Sequence, residues 1–420
     1  VKEILVEDGD FTFSRSSSAT RVNSEGLIEK ETQNLLTHSG DLTQWTTAAT
    51  GTRTATTDPL GGNKAFILND QDASIYYRLS SNSVSITGVV TGSVYIKKTT
   101  GALSNYAGMQ VVGGGFIIID TTNGTYNISS SPPYADVKID SAYSDWWRVS
   151  AVVSNFSSGA FLYLWPAISA NGTSIAGGAQ GSNTFYAPQL EQGLVARDYI
   201  ETTTAAVEGG ITDNVPRLDY SGGASCPTLL LEPQRTNLVP YSEYYLSGTW
   251  NPSNTTITPN SIIAPSGLNE ASLITANGTN PRLTINASAL SGDSVFSWFA
   301  KKGTSSYLKI RVWDGSTNHD AIFDLQSGTL TSGNGVIQPY TNDWYKCSLV
   351  YNSNGYTHST QTYVSNTSSG NLYLWGAMLE KGEYPTSYIP TNGTSVTRTD
   401  DRLPPQTLAT PLTTEGTIFI

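Results

Sequence analysis

Stretches of this chain recur in one order about 200 residues further on, and that duplication limits the fold more than any other feature. Asn34-Leu35-Leu36, running on to Trp45, is answered by Asn237-Leu238-Val239, running on to Trp250. Val94–Lys98 is answered by Trp298–Lys302, and Asp145-Trp146-Trp147-Arg148 by Asp343-Trp344-Tyr345-Lys346. The closing stretch of the first copy, FLYLWPAI followed by YAPQLEQG and DYIETT, is matched by LYLWGAMLEKGEYPTSYIPT; this sets Trp165 against Trp375, and Tyr199-Ile200 against Tyr388-Ile389. Like sequence in like order predicts two domains of one kind.

Between these anchors lie short stretches alternating at period two, broken by turn residues, with no long amphipathic helical pattern. Phe116–Asp120 runs into Asn123-Gly124, and Ala321–Leu325 into Ser327-Gly328; both read as hairpins, because Asn and Gly tolerate positive φ. The expected fold is all-β, two tandem jelly-roll β-sandwich modules, each with a lead-in hairpin. The boundaries follow from the anchors: an N-terminal arm and hairpin at 1–32, module 1 at 33–205, a linker and lead-in hairpin at 206–235, and module 2 at 236–396. Residues 397–420 read as an exit linker and the start of a further β domain, the apolar GTIFI being a strand just starting.

Charge excludes some partners. A net charge of −11 without a basic cluster argues against nucleic acid, which needs grouped Lys and Arg to neutralise phosphates. No apolar run reaches the roughly 18 residues of a membrane span, so no membrane insertion is expected. Cys226, in the linker, and Cys347, in a strand, read as two unrelated buried thiols, with a disulfide as the alternative.

The openings NLL…SGDLTQW and NLV…YSEYYLSGTW resemble those of galactose-binding-like, carbohydrate-binding-module-like jelly rolls. The closing YAPQLEQG…DYI and LWGAMLEKGEYPTSYIPT, with SSATRVNSEGLIE and PTLLLEPQRTNL, resemble the repeated modules of tailed-phage virion proteins such as tail fibres, head fibres and capsid decorations. That resemblance covers most of residues 11–400. It implies a non-enzymatic structural or adhesive protein on a virion, contacts with other virion proteins, homo-oligomeric assembly (a trimer is our expectation) and a host-surface glycan as a candidate ligand. A secreted or surface carbohydrate-binding protein of a bacterial glycan-degrading system is the alternative.

No catalytic site and no cofactor are expected. His38, His319 and His358 read as surface or loop residues, and Glu380 with Glu383 as a solvated turn. Asn69, Asp70 and Asp72 could offer oxygens to calcium, though the second copy lacks them. The candidate carbohydrate contacts are Lys309, Arg311, Trp313 and Asp314. In YLKIRVWDG, Leu308, Ile310 and Val312 share one face, which puts Trp313 on the polar side, where an indole stacks on sugar C–H groups and charged neighbours bind hydroxyls. The matched pairs Trp45/Trp250, Trp146/Trp344 and Trp165/Trp375 are expected to pack cores or corners.

Overall fold

The structure, a computed structural model, describes residues 12–99, 104–128, 134–156, 159–168, 179–223, 225–287 and 289–404. The strand expected near 414–420 lies outside the described residues. The chain divides into two compact units, Thr32–Gly209 and, around it in sequence, residues up to Glu31 together with those from Gly210 onward. Segments read from sequence as an arm, a linker and an exit thus share a unit with the second sandwich.

Each unit holds two six-stranded sheets. In the first, the order is Thr125–Ile128, Ile117–Asp120, Tyr106–Val111, Leu162–Trp165, Arg78–Ser80, Thr46–Ala48, facing Asp136–Ala142, Trp146–Phe156, Gly88–Lys97, Gly181–Gln192, Ala65–Asp70, Gly51–Thr56. In the second, one sheet runs Thr329–Gly333, Asn318–Asp324, Tyr307–Trp313, His358–Tyr363, Arg282–Ala287, Asn251–Ser253. Its partner runs Gly335–Pro339, Trp344–Asn354, Ser291–Lys302, Asn371–Lys381, Ala271–Ala276, Thr255–Ile262. The eight central strands of each unit are wound as two Greek keys, so each unit is a jelly roll. Alternation places Leu79, Met109, Val111, Leu162 and Leu164 in the first core, and Leu283, Leu308, Ile310, Val312 and Phe323 inward in the second, all buried. Each such side chain contributes roughly 1.5–3 kcal/mol of transfer free energy.

The duplication extends to individual hydrogen bonds. Asn34 is buried; its Nδ2 donates to the carbonyls of Pro188 and Ile200, and its Oδ1 accepts from the amides of Leu36 and Leu190. Asn237 repeats all four bonds, to Ala377, Ile389, Val239 and Leu379. Next to this clip, Tyr199 Oη lies 2.9 Å from Ser39 Oγ, and Tyr388 Oη lies 2.7 Å from Ser242 Oγ. Trp146 opposes Lys97 and Trp344 opposes Lys301, so this tryptophan pair is equivalent. Trp45 and Trp250 are both buried, each donating its indole N–H to a nearby carbonyl, Thr37 and Tyr241 respectively.

The pairing of Trp165 with Trp375 is corrected by strand order. Leu-Tyr-Leu-Trp occurs at 162–165 and at 372–375, but the two tetrapeptides lie in opposite sheets of their sandwiches. Trp375 opposes Phe299, as Tyr186 opposes Tyr95 in the first unit; Trp165 opposes Gly108, as Tyr363 opposes Lys309 in the second. The equivalent pairs are therefore Tyr186/Trp375 and Trp165/Tyr363. Both long closing strands carry a bulge after the aromatic, where Ala187 has φ 52° and Gly376 φ 65°. Only glycine adopts that conformation without strain.

The second unit has a buried ionic seam. Arg15 and Arg217 pair with Asp401, and Arg217 and Arg398 with Glu232. Thr20 Oγ1 donates to the Tyr388 carbonyl at 2.6 Å. These bonds fasten the segment before residue 31, the lead-in after Gly210 and the stretch near 400 onto one sandwich.

Candidate functional site

Alternation along Tyr307–Trp313 turns Lys309, Arg311 and Trp313 away from the core, as the sequence predicts. All nine tryptophans are described; seven are buried, Trp147 is half-buried, and Trp313, at 38%, is the exposed one. Its strand neighbours are Ser359 and Asn318. One row along the sheet, Arg311 makes a bidentate pair with Asp320 at 2.7 and 2.8 Å, and Lys309 reaches the same carboxylate at 3.0 Å. Burial alone would raise the Asp320 pKa, but Arg311 and Lys309 outweigh it and hold it below the usual range. Gln361 lies opposite Arg311, and Tyr363 receives the cations of Lys309 and Arg282 at 5.5 and 5.9 Å from its ring centroid. Past Tyr307 the face opens into a cavity of about 640 Å³, lined by Thr304, Ser305, Ser306, Asp324, Thr331, Asn366 and Thr367 among others. The outward sheet is thus a polar strip, with an indole at one end and a hydroxyl-rich hollow at the other.

Asp314 is not part of that strip. It is buried, and its carboxylate accepts from the amides of Ser316 and Thr317 and from Ser316 Oγ, with His319 Nε2 at 2.9 Å. Burial opposes ionisation here, yet the bond from His319 and those from the loop hold the group well below the usual carboxylate range. A second aromatic stands at this end of the sandwich: Tyr356 is 61% exposed and sits against Gly315, and its loop is tied to the 314–317 turn by a bond from Asn354 to Ser316. The sequence reading missed Tyr356; its Gly355-Tyr356 turn carried the signal of an aromatic at a loop tip.

The matching face of the first unit is filled. Trp165 is buried against Phe116, Tyr163 and Tyr76 at 4.1, 5.6 and 6.5 Å between centroids, with Arg78 stacked 4.2 Å from Tyr163. Gly108, in the place of Lys309, leaves room for Trp165 and Ile168: a Cβ there would stand 2.7 Å from Ile168 Cδ1 and 3.3 Å from Cε3 of the indole. Van der Waals packing replaces the polar strip.

Other candidate chemistry is internally committed. Asp70 caps its own loop through the amides of Asp72 and Tyr77, and Asp72 does so through those of Ser74 and Ile75, with Asn69 in the strand before them. Among the described residues no group of three His, Cys, Asp or Glu is placed to hold a metal. His358, read as a surface residue, is fully buried, 2.7 Å from Ser353 Oγ. That hydroxyl donates to the Leu290 carbonyl at 2.6 Å, so the imidazole serves as its donor and not as a base that activates it. Glu380, read as part of a solvated turn, is also buried; it accepts from Thr386 N and Oγ1 and orders the turn, as Glu191 does through Arg197 N. Cys226 is exposed and Cys347 buried, both as free thiols, which corrects the reading of two buried ones.

A further cavity of about 690 Å³ in the second unit is lined by Thr20, Val22, Tyr340, Glu232 and Lys346 among others. Burial lowers the Lys346 pKa, and its ammonium donates to the Thr386 carbonyl.

No family model and no curated protein matches the sequence. Among solved structures, the chain is similar to the N-terminal CBM22-1–CBM22-2 tandem domain of Xyn10C from Paenibacillus barcinonensis, at 12% identity and TM-score 0.26, over 84% of this chain and 98% of that one. It is also similar to a mutant oxalate decarboxylase from Bacillus subtilis, at 8% identity and TM-score 0.15, over 87% and 79%. Superpositions this loose carry no functional argument; the tandem jelly roll rests on the chain's own strand order.

Proposed function

We propose that this chain is a non-catalytic structural and adhesion protein whose second sandwich contacts a glycan through its outward sheet. The observation that carries this reading is Trp313, the exposed tryptophan among nine, standing beside the Arg311–Asp320 pair on an outward face that also carries Lys309, Gln361 and Tyr363. An indole face suits sugar C–H groups, and a planar ion pair offers both donors and acceptors to hydroxyls. Asp314 serves its own loop, so the working contacts are Trp313, Lys309, Arg311, Asp320 and Gln361. The first sandwich, its equivalent face packed with aromatics, acts as a spacer. The motifs SSATRVNSEGLIE and PTLLLEPQRTNL support placing the protein on a tailed-phage virion, as a fibre or decoration beside other virion proteins and in several copies.

Two experiments test this. On a glycan array the full chain should bind a defined set of glycans, and Trp313→Ala should lower that binding roughly tenfold or more; no binding to any glycan would remove the adhesive role. Mass spectrometry of purified virions should detect the chain, whereas recovery only from bacterial culture supernatant would favour a bacterial carbohydrate-binding protein.

A further inference from the structure

Lys30, Glu243 and Glu270 form a buried cluster that the proposed function leaves without a role. Lys30 Nζ lies 2.9 and 3.1 Å from the two carboxylate oxygens of Glu243 and 2.7 Å from Glu270 Oε1. The three side chains are 4%, 2% and 1% exposed. Trp375 walls the site, its ring centroid 5.3 Å from Nζ, and Tyr388 Oη donates to Glu243 Oε1 at 2.8 Å. Ser266 Oγ donates to Glu270 Oε1 at 2.6 Å. The lysine is presented by a fixed backbone, since the Ile28 amide donates to the Pro265 carbonyl at 2.8 Å.

One ammonium between two carboxylates leaves a surplus negative charge in a buried site, which is strongly unfavourable. Burial, and then the charge of Glu270, push the Glu243 carboxyl up, which favours a proton on Glu243. The cluster then contains an amine, a neutral carboxyl group in contact with it, a carboxylate placed to take the amine's proton, and a phenol bonded to the carboxyl oxygen.

We propose that Lys30 and Glu243 condense into an intramolecular amide, with Glu270 as the proton carrier. The Lys30 ammonium gives one proton to Glu270, and the freed Nζ lone pair attacks Glu243 Cδ. The Tyr388 hydroxyl stabilises the charge that develops on the carboxyl oxygen. Glu270 returns its proton to the departing hydroxyl, which leaves as water, and takes the second amine proton. The C–N bond replaces one C–O bond, nothing is oxidised or reduced, and Glu270 ends neutral. Two opposite charges thereby leave the apolar interior, and a covalent link closes a loop of 213 residues. The first sandwich cannot do this, for Gly40 stands where Glu243 does and Lys64 where Glu270 does.

Intact-mass spectrometry of the purified full-length chain tests the proposal. The expected mass is below the sequence mass by one water, and trypsin should release a branched peptide joining residues 22–53 to 236–282, with fragmentation placing the branch at Glu243. Lys30→Arg and Glu270→Gln should each restore the full mass. A wild-type chain at full sequence mass overturns the proposal whatever the variants do. So does a water loss that persists in Lys30→Arg, which would mark dehydration elsewhere, for example at Asp314-Gly315.

Discussion

The outward sheets of the two sandwiches carry the same strands in the same order and share few outward side chains. In the first, Gly108 and Trp165 take the places of Lys309 and Tyr363, and a buried aromatic cluster results. In the second, charged groups pair across the strands and the tryptophan has moved to the exposed end. The inward residues and the Asn34 and Asn237 clips hold the fold; the outward face is free to become either packing or a contact surface. A jelly roll thus separates the residues that keep it folded from those that give it a partner, because the period of two assigns them to opposite faces.

The sharpest way to break this comparison is to truncate each tryptophan. Trp165→Ala should destabilise the first unit by about 3–5 kcal/mol, as loss of a large buried aromatic does, and leave glycan binding unchanged. Trp313→Ala should lower binding and shift thermal unfolding by less than ~1 kcal/mol. Calorimetry with a binding assay separates the two; the reverse pattern would exchange the roles of the faces.

The clips come next. Asn34→Ala and Asn237→Ala each orphan two buried carbonyls and two amides, at about 2–4 kcal/mol. Denaturant titration should show similar losses, each confined to its own unit; a large loss in one copy alone would deny that the clips are equivalent.

The third prediction concerns pH. Burial raises the pKa of Glu191 and Glu380 above the ordinary 4.5. A carboxyl whose folded pKa is raised contributes stability that is complete below the unfolded value and is lost as pH rises through the folded one. Each unit should therefore lose this contribution on going upward from about pH 4.5, and Glu191→Gln and Glu380→Gln should flatten the respective curves. Glu232 runs the other way: burial raises it, but Arg398 and Arg217 outweigh that and lower it. Its contribution is present above 4.5 and lost as pH falls through the folded value, so this group should weaken the second unit in acid.

The smallest effect is at the bulge. Ala187→Gly should stabilise the first unit by up to about 1 kcal/mol by relieving its positive φ, and Gly376→Ala should cost the second a comparable amount or more, since a Cβ there would stand 2.9 Å from Phe299. Chemical denaturation of the pair measures both signs.

The duplication and the sandwich were legible because turn residues, alternation and paired anchors are local signals that survive copying. The mismatch of Trp165 with Trp375 came from one tetrapeptide used in two different sheets, a coincidence that only strand order resolves. The outward position of Trp313 followed from alternation, but the commitment of Asp314 to its loop did not, because hydrogen-bond demand within a turn leaves no periodic trace. Lys30 was illegible for a different reason: its partners lie 213 and 240 residues away, and the first copy holds no counterpart to reveal them. The same holds for Arg15, Arg217 and Arg398, which are buried through ion pairs with residues distant in sequence.

The most direct test is to titrate the isotope-labelled full chain with a glycan selected on the array while following the nine tryptophan indole N–H resonances. The Trp313 signal should shift progressively and saturate while the buried ones, Trp165 among them, stay in place. A shift of Trp165 with Trp313 unmoved would contradict the assignment of contact to the second sandwich and packing to the first.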